Sequence, residues 1–171
     1  MDGYVVWLTG DRGRMETIAG PLRHALTGTA RSVDAIAAET VEEKLCSVEP
    51  RGPDFGDLVV RRLGWSCRLL ARNGCAVVAL AASPTRSVRD DVRRMADGRM
   101  IEVLVHGDLP AGYEPPHYPE AEWKTGEAAA DAIRRIRAAL ADAGLLGAAA
   151  NVYSAEEEAR IKDRLEKLGY L

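Results

Sequence analysis

The segment Thr9-Gly10-Asp11-Arg12-Gly13-Arg14-Met15-Glu16-Thr17 follows the apolar run Tyr4-Val5-Val6-Trp7-Leu8 and precedes a helical pattern. This is the setting in which a phosphate-binding loop is built. Such a loop needs glycines so that backbone N–H groups can wrap an anion, and a helix N-terminus aimed at it. It also needs a lysine on the outer phosphates and a hydroxyl for magnesium. Gly10 and Gly13 are present, but the pattern G-x-x-x-x-G-K-[ST] is not matched, because Met15 or Glu16 stands where the lysine belongs. The loop is about one residue short of that pattern, and a carboxylate at the lysine position repels phosphate. The chain holds only four lysines, Lys44, Lys124, Lys162 and Lys167, so none precedes residue 44. Arg14 is then the local substitute cation and Thr17 the available hydroxyl for weak anion or nucleotide binding at Gly10, Gly13, Arg14 and Thr17. The same segment also reads as an ordinary strand-to-helix turn.

Positioning these residues requires alternating strands and helices. Tyr4 to Leu8 predicts a first strand, and residues 14–26, with Ile18, Leu22 and Leu26 on one face, predict the helix after it. Ser32 to Ile36 is a weaker second strand, and residues 47–57, rich in Pro and Gly, are loop. Residues 58–72 read as a helix stopped by Asn73-Gly74 before the apolar run Cys75 to Ala81. A helix over 87–95, a strand over 100–105 and a Gly/Pro-rich connector through Pro119 follow. The last helix of the domain begins after Thr125, aligns Ile133, Ile136 and Leu140, and ends at Gly144. Four strands alternating with helices predict an α/β three-layer sandwich around a mostly parallel sheet. Residues 1–146 form the domain and 147–152 a small-residue linker. Residues 153–171 form a C-terminal amphipathic helix, with Ser154 and Glu157 as a capping box. Its stripe of Ile161, Leu165 and Leu168 is expected to dock on its own domain, on a second copy in a homodimer, or on a protein partner.

At 171 residues, 47% hydrophobic and 29% charged, the chain suits one folded domain with a core. The net charge of −3 argues against nucleic acid as a partner. No run approaches a membrane span, and residues 4–8 are too short for a secretory signal, so the expected location is the cytoplasm. Cys46, Cys67 and Cys75 are odd in number and form no C-x-x-C pair, which predicts reduced, packed thiols. His24, His106 and His117 are scattered without metal-ligand spacing, so no metal site is expected.

Several segments together resemble one family. Val5-Val6-Trp7-Leu8-Thr9-Gly10, Arg61-Arg62-Leu63-Gly64 leading to Leu69-Leu70-Ala71-Arg72-Asn73-Gly74, Ser83-Pro84-Thr85-Arg86, and Tyr113-Glu114-Pro115-Pro116-His117-Tyr118-Pro119-Glu120 are similar, in order and spacing over residues 4–146, to adenylylsulfate kinase. The resemblance implies a P-loop kinase fold and transfer of the ATP γ-phosphate to the 3′-hydroxyl of adenosine 5′-phosphosulfate with magnesium. It also implies a substrate side formed by Arg61, Arg62, Ser83 and Arg86. The chain departs from the family pattern in four ways. It lacks the phosphate-loop lysine. The D-G-D after strand two is reduced to Val33-Asp34-Ala35, leaving Asp34 as the one carboxylate for metal or proton work. Val59 replaces an asparagine. Finally, Val105 runs through His106-Gly107-Asp108-Leu109-Pro110 without the arginine-containing lid. Phosphoryl transfer is largely positioning and charge neutralisation, so the departures point to a binding, scaffolding or regulatory domain near sulfate or sulfonucleotide metabolism. The alternative is an active kinase using Mg-ATP, with Arg14 for the lysine, Thr17 on magnesium and Asp34 as ligand or base. No cofactor is otherwise implied.

Overall fold

The computed structural model describes residues 3–146. The linker and C-terminal helix expected over 147–171, with Ile161, Leu165 and Leu168, lie outside the described residues. The elements are β1 (Tyr4–Gly10), α1 (Arg12–Ala25), β2 (Ser32–Ala37), α2 (Ala38–Leu45), α3 (Phe55–Arg72), β3 (Cys75–Leu80), α4 (Arg86–Met95), β4 (Met100–Val105), β5 (Ala121–Trp123) and α5 (Ala129–Asp142). The sheet has five strands in the order β2-β3-β1-β4-β5, and every pairing is parallel. The expectation of four strands is corrected by β5. Its Ala-Glu-Trp is too short to show a period, and it forms by extending β4 through Val103, Leu104 and Val105. Helix α2, with Val41 as its buried residue, was likewise not anticipated.

Period-two alternation splits the central strands between two cores. Tyr4, Val6 and Leu8 of β1, with Ala76, Val78 and Leu80 of β3, pack with Met15, Ile18 and Leu22 of α1 and Ile136 and Leu140 of α5. Val5 and Trp7, with Val77 and Ala79, face Val60, Leu63 and Cys67 of α3 and Val88 and Val92 of α4. Both faces of β1, β3 and β4 are therefore dry, which is why these strands read as unbroken apolar runs. The Cys67 thiol is pushed up to about 12, chiefly by burial and then by Cys75, so it stays a protonated packing group.

Helices α3 and α4 meet at Gly64. A Cβ there would lie 2.7 Å from Val92 Cγ2, and Val92 is stiff at χ1 in a helix. Gly64→Ala would gain about 1 kcal/mol of helix propensity but overpack the contact at a cost of about 1–3 kcal/mol. A lower urea midpoint is expected for Gly64→Ala alone. Comparing Gly64→Ala/Val92→Ala with Val92→Ala, the glycine substitution should become stabilising, and an unchanged cost in that background would contradict the contact.

Candidate functional site

Strands β1, β3 and β4 deliver their last residues to one edge of the sheet, where α1 begins. The connection from β1 to α1 is a single residue, Asp11, between Gly10 and Arg12. Gly10 has φ of 118°, and a Cβ on it would come within 2.2 Å of Val105 O, so close approach to β4 requires this glycine. Asp11 is the N-cap: its Oδ1 accepts from Arg14 N at 3.0 Å and its Oδ2 from Asp108 N at 2.6 Å. The hydrogen bond from Arg14 N leads in holding the Asp11 carboxyl below the usual range, and that from Asp108 N adds to it. A Cβ on Gly107 would collide with Asp11 Oδ2 at 2.1 Å, so the carboxylate also determines the path of the chain after β4.

Arg14 does not point its guanidinium into free space. It donates to the carbonyls of His106, Trp123 and Lys124 and lies 3.9 Å from the centre of the Trp123 ring. It thus ties the first turn of α1 to the ends of β4 and β5. Met15 is buried in the core, while Glu16 is exposed and paired with Arg12 at 3.0 Å. Gly13 lies inside α1, where its carbonyl accepts from Thr17 Oγ1 at 2.9 Å.

Asp34 is not brought to this junction. It lies within β2 opposite Val77, exposed, with its Oδ1 accepting from Ala35 N and 3.9 Å from Arg23 Nη1. Arg23 is in the last turn of α1, and eleven residues of helix separate it from Arg12 by about 16 Å.

The substrate-side residues divide. Arg61 meets Asp91 through Nε at 3.0 Å and Nη2 at 2.9 Å, and Arg62 meets Glu49 and the Leu45 carbonyl. Ser83 is buried, donating to Ala81 O at 3.2 Å, and Arg86 donates to Pro115 O at 3.0 and 3.2 Å. Beside Ser83 a cleft of about 440 Å³ opens between α2 and the start of α3. Among the described residues its lining includes Glu39, Glu42, Asp54 and Asp57 and no Lys or Arg. Glu39 and Glu42 pair with Arg12 and Arg51 from outside that lining, and Asp57 accepts from Thr85 Oγ1.

Sequence reasoning missed the group that holds this edge together. Arg89, 1% exposed, donates to Glu102 Oε1 at 2.8 Å and to the carbonyls of Ser83, Thr85 and Glu114. Its guanidinium is 5.1 Å from the Tyr113 ring, and the Tyr113 hydroxyl meets Thr9 Oγ1 at 3.1 Å. Burial raises the Tyr113 pKa more than that hydrogen bond lowers it. No local signal reveals Arg89, because Glu102 and Glu114, two of the residues it meets, are 13 and 25 residues away. Asp11, in contrast, carries one: an aspartate directly before a helical pattern is an N-cap signature.

A family model described as adenylylsulphate kinase matches residues 2–117. The adenylyl-sulfate kinase of Rippkaea orientalis is 29% identical over 172 residues, covering 84% of this chain and 94% of the relative. That of Microcystis aeruginosa is 30% identical over 150 residues, covering 72% and 82%. Among solved structures, the hexameric APS kinase from Thiobacillus denitrificans superposes with a TM-score of 0.71 at 26% identity, over 85% of this chain and 30% of that one. Mycobacterium tuberculosis APS kinase CysC in complex with AMPPNP and APS shares the fold with a TM-score of 0.72 at 17% identity, over 82% and 98%.

Two outcomes follow from the site's geometry. Removing Arg89 leaves the buried Glu102 carboxylate to the half-buried Arg93 alone, so Arg89→Met is expected to cost about 3–5 kcal/mol in urea unfolding, and Arg89→Met/Glu102→Leu distinctly less. A double variant as unstable as the single one would contradict the pairing. Because Asp11 has a folded pKa below its unfolded value, its charge stabilises the fold fully above the unfolded carboxylate range, and that contribution is lost as pH falls through the folded pKa. Asp11→Ala should cost about 1 kcal/mol at neutral pH. Asp11→Asn should keep most of the cap but show a shallower acid loss of stability than the parent, and an identical acid limb would refute the assignment.

Proposed function

The chain belongs to the adenylylsulfate kinase family, and from that premise we propose that it is a member without ATP-dependent phosphotransfer, serving as a binding, scaffolding or regulatory protein near sulfonucleotide metabolism. The observation that carries this reading is the Asp11 carboxylate on the first turn of α1. A helix N-terminus attracts an anion by about 0.3–2 kcal/mol. A fixed negative charge about 4 Å away opposes an arriving unit charge by about 4 kcal/mol at an effective dielectric of 20. The position is therefore unfavourable to a phosphate while Asp11 holds it.

Three further features support the same reading. Arg14 already satisfies three carbonyls, so moving to a γ-phosphate would undo the tie to β4 and β5. Asp34 is a helix length away from the junction. Among the described residues the cleft beside Ser83 offers a multiply charged sulfonucleotide four carboxylates and no lining cation. Catalysis by positioning and neutralisation has little to work with here. A domain of this kind would act through a protein partner or through self-association, the latter suggested by the hexameric relative.

Calorimetric titration with Mg-ATP, ADP and adenylylsulfate is expected to give no saturable binding at this edge, and a coupled ADP-release assay no turnover. Micromolar ATP binding lost on Arg14→Ala, or turnover abolished by Asp34→Ala, would overturn the proposal and restore the active kinase.

A further inference from the structure

Helix α3 is apolar on two sides. Its inner side, with Val60, Leu63 and Cys67, is packed in the core. On its outer side Trp65 and Leu69, one turn apart, are 50% and 44% exposed. Leu45 at the end of α2, 54% exposed, continues this surface, because Arg62 of α3 donates to its carbonyl. Arg68 lies 5.5 Å from the Trp65 ring at the flank, and the exposed Arg72 follows Leu69 by three positions.

The sequence beyond the described residues carries a pattern that fits this surface. Glu158, Ile161, Leu165 and Leu168 are spaced three, four and three positions apart, and so are Arg72, Leu69, Trp65 and Arg62 taken in reverse order. Between antiparallel helices, equal spacing sets Glu158 opposite Arg72, Ile161 opposite Leu69, Leu165 opposite Trp65, and Leu168 opposite Arg62 with its neighbour Leu45. Charge favours the same direction. Glu156-Glu157-Glu158 opens the segment, whereas α3 holds four arginines and one acidic residue, Asp57. Exposed ion pairs contribute little, so burial of the apolar stripe drives the contact and the Glu158–Arg72 pair fixes its register.

The topology supplies the direction of approach. Helix α3 ends at the strand-start edge, where Asn73-Gly74 leads into β3. Helix α5 runs back toward that edge on the other face of the sheet, and Leu145 and Leu146 after it pack in the core that holds Tyr4, the first residue of β1. The eleven residues 147–157 can span up to about 36 Å. Passing from the α5 layer around the sheet edge to the outer side of α3 takes about 25–30 Å, or two to three helix diameters. We propose that the helix expected over 153–171 docks on its own domain, antiparallel to α3, with Ile161, Leu165 and Leu168 covering Leu69, Trp65 and Leu45. A tether of this length keeps the segment at an effective concentration on the order of millimolar, which favours the chain's own α3 over that of a second copy. The inference stands apart from the kinase-negative reading, since the outer side of α3 includes neither Arg14 nor Asp34.

Trp65 is the reporter, because Trp7 and Trp123 are buried. Acrylamide quenching of tryptophan emission is measured on the full-length protein. Leu165→Asp is expected to strengthen quenching and shift the emission to the red, and both changes should vanish in a Trp65→Phe background. Arg72→Glu should also strengthen quenching, and Arg72→Glu/Glu158→Arg should restore protection; these surface changes serve if Leu165→Asp does not fold, which its thermal midpoint reveals. Light scattering should give a monomer at every concentration. Quenching unaffected by Leu165→Asp, or charge reversal that fails to restore protection, would overturn the proposal. A dimer dissolved by Leu165→Asp would also overturn it, assigning the stripe to a second copy.

Discussion

The arrangement of the loops after β3 and β4 depends on one buried guanidinium. Arg89 ion-pairs with Glu102 of β4 and donates to the carbonyls of Ser83, Thr85 and Glu114. In a dry interior an isolated charge is untenable, so this pair exists only while every surrounding acceptor is in place. The loop after β3, the middle of β4 and the Tyr113–Pro115 segment are thereby held in one geometry by requirements that none of them could impose alone. Arg93 extends the arrangement outward, reaching Glu102 and Glu120, while Glu120 Oε2 accepts from Glu102 N at 2.7 Å. That contact leads the chain directly into β5.

Beside the Arg89 network, the β1–α1 junction completes its hydrogen bonds within the chain. In place of a long loop with free N–H groups, one aspartate joins strand to helix and accepts from the first turn and from Asp108. Arg14, reaching across to Trp123, then adds the cation–π contact and the carbonyls at the ends of β4 and β5. Negative carboxylate on the helix N-terminus and positive guanidinium on the strand ends form a neutral, self-contained seam.

Much of this was legible in the sequence wherever one physical cause acted locally. β1, β3 and β4 could be read because burial on both faces leaves unbroken apolar runs, and α3 because Val60, Leu63 and Cys67 recur at helical spacing before Asn73-Gly74. β5 could not be read, since three residues carry no period and its existence rests on β4. The sequence offers Arg14 as a substitute for the missing lysine, but its guanidinium meets carbonyls 92 to 110 residues away, and no local pattern encodes them. Glycine spacing misled in a specific way: Gly10 is demanded by Val105 O, whereas Gly13 sits within α1 with a Cβ position 3.7 Å from its nearest neighbour. Glycines that look like a phosphate cradle serve backbone packing in one case and no visible need in the other.

The family fold tolerates variation at its strand ends because its two apolar cores lie elsewhere. The two apolar cores and the Arg89–Glu102 pair lie within and between the layers. Chemistry in a parallel α/β sheet belongs to the loops at the strand ends, which can shorten or reverse their charge at little cost to the cores. The one-residue β1–α1 link leaves few backbone amides outside the strand and helix, and Asp11 satisfies that of Arg14. A junction that completes its own hydrogen bonds is more stable without ligand than an open loop. The Asp11 hydrogen bonds that close the junction therefore also contribute to holding the fold.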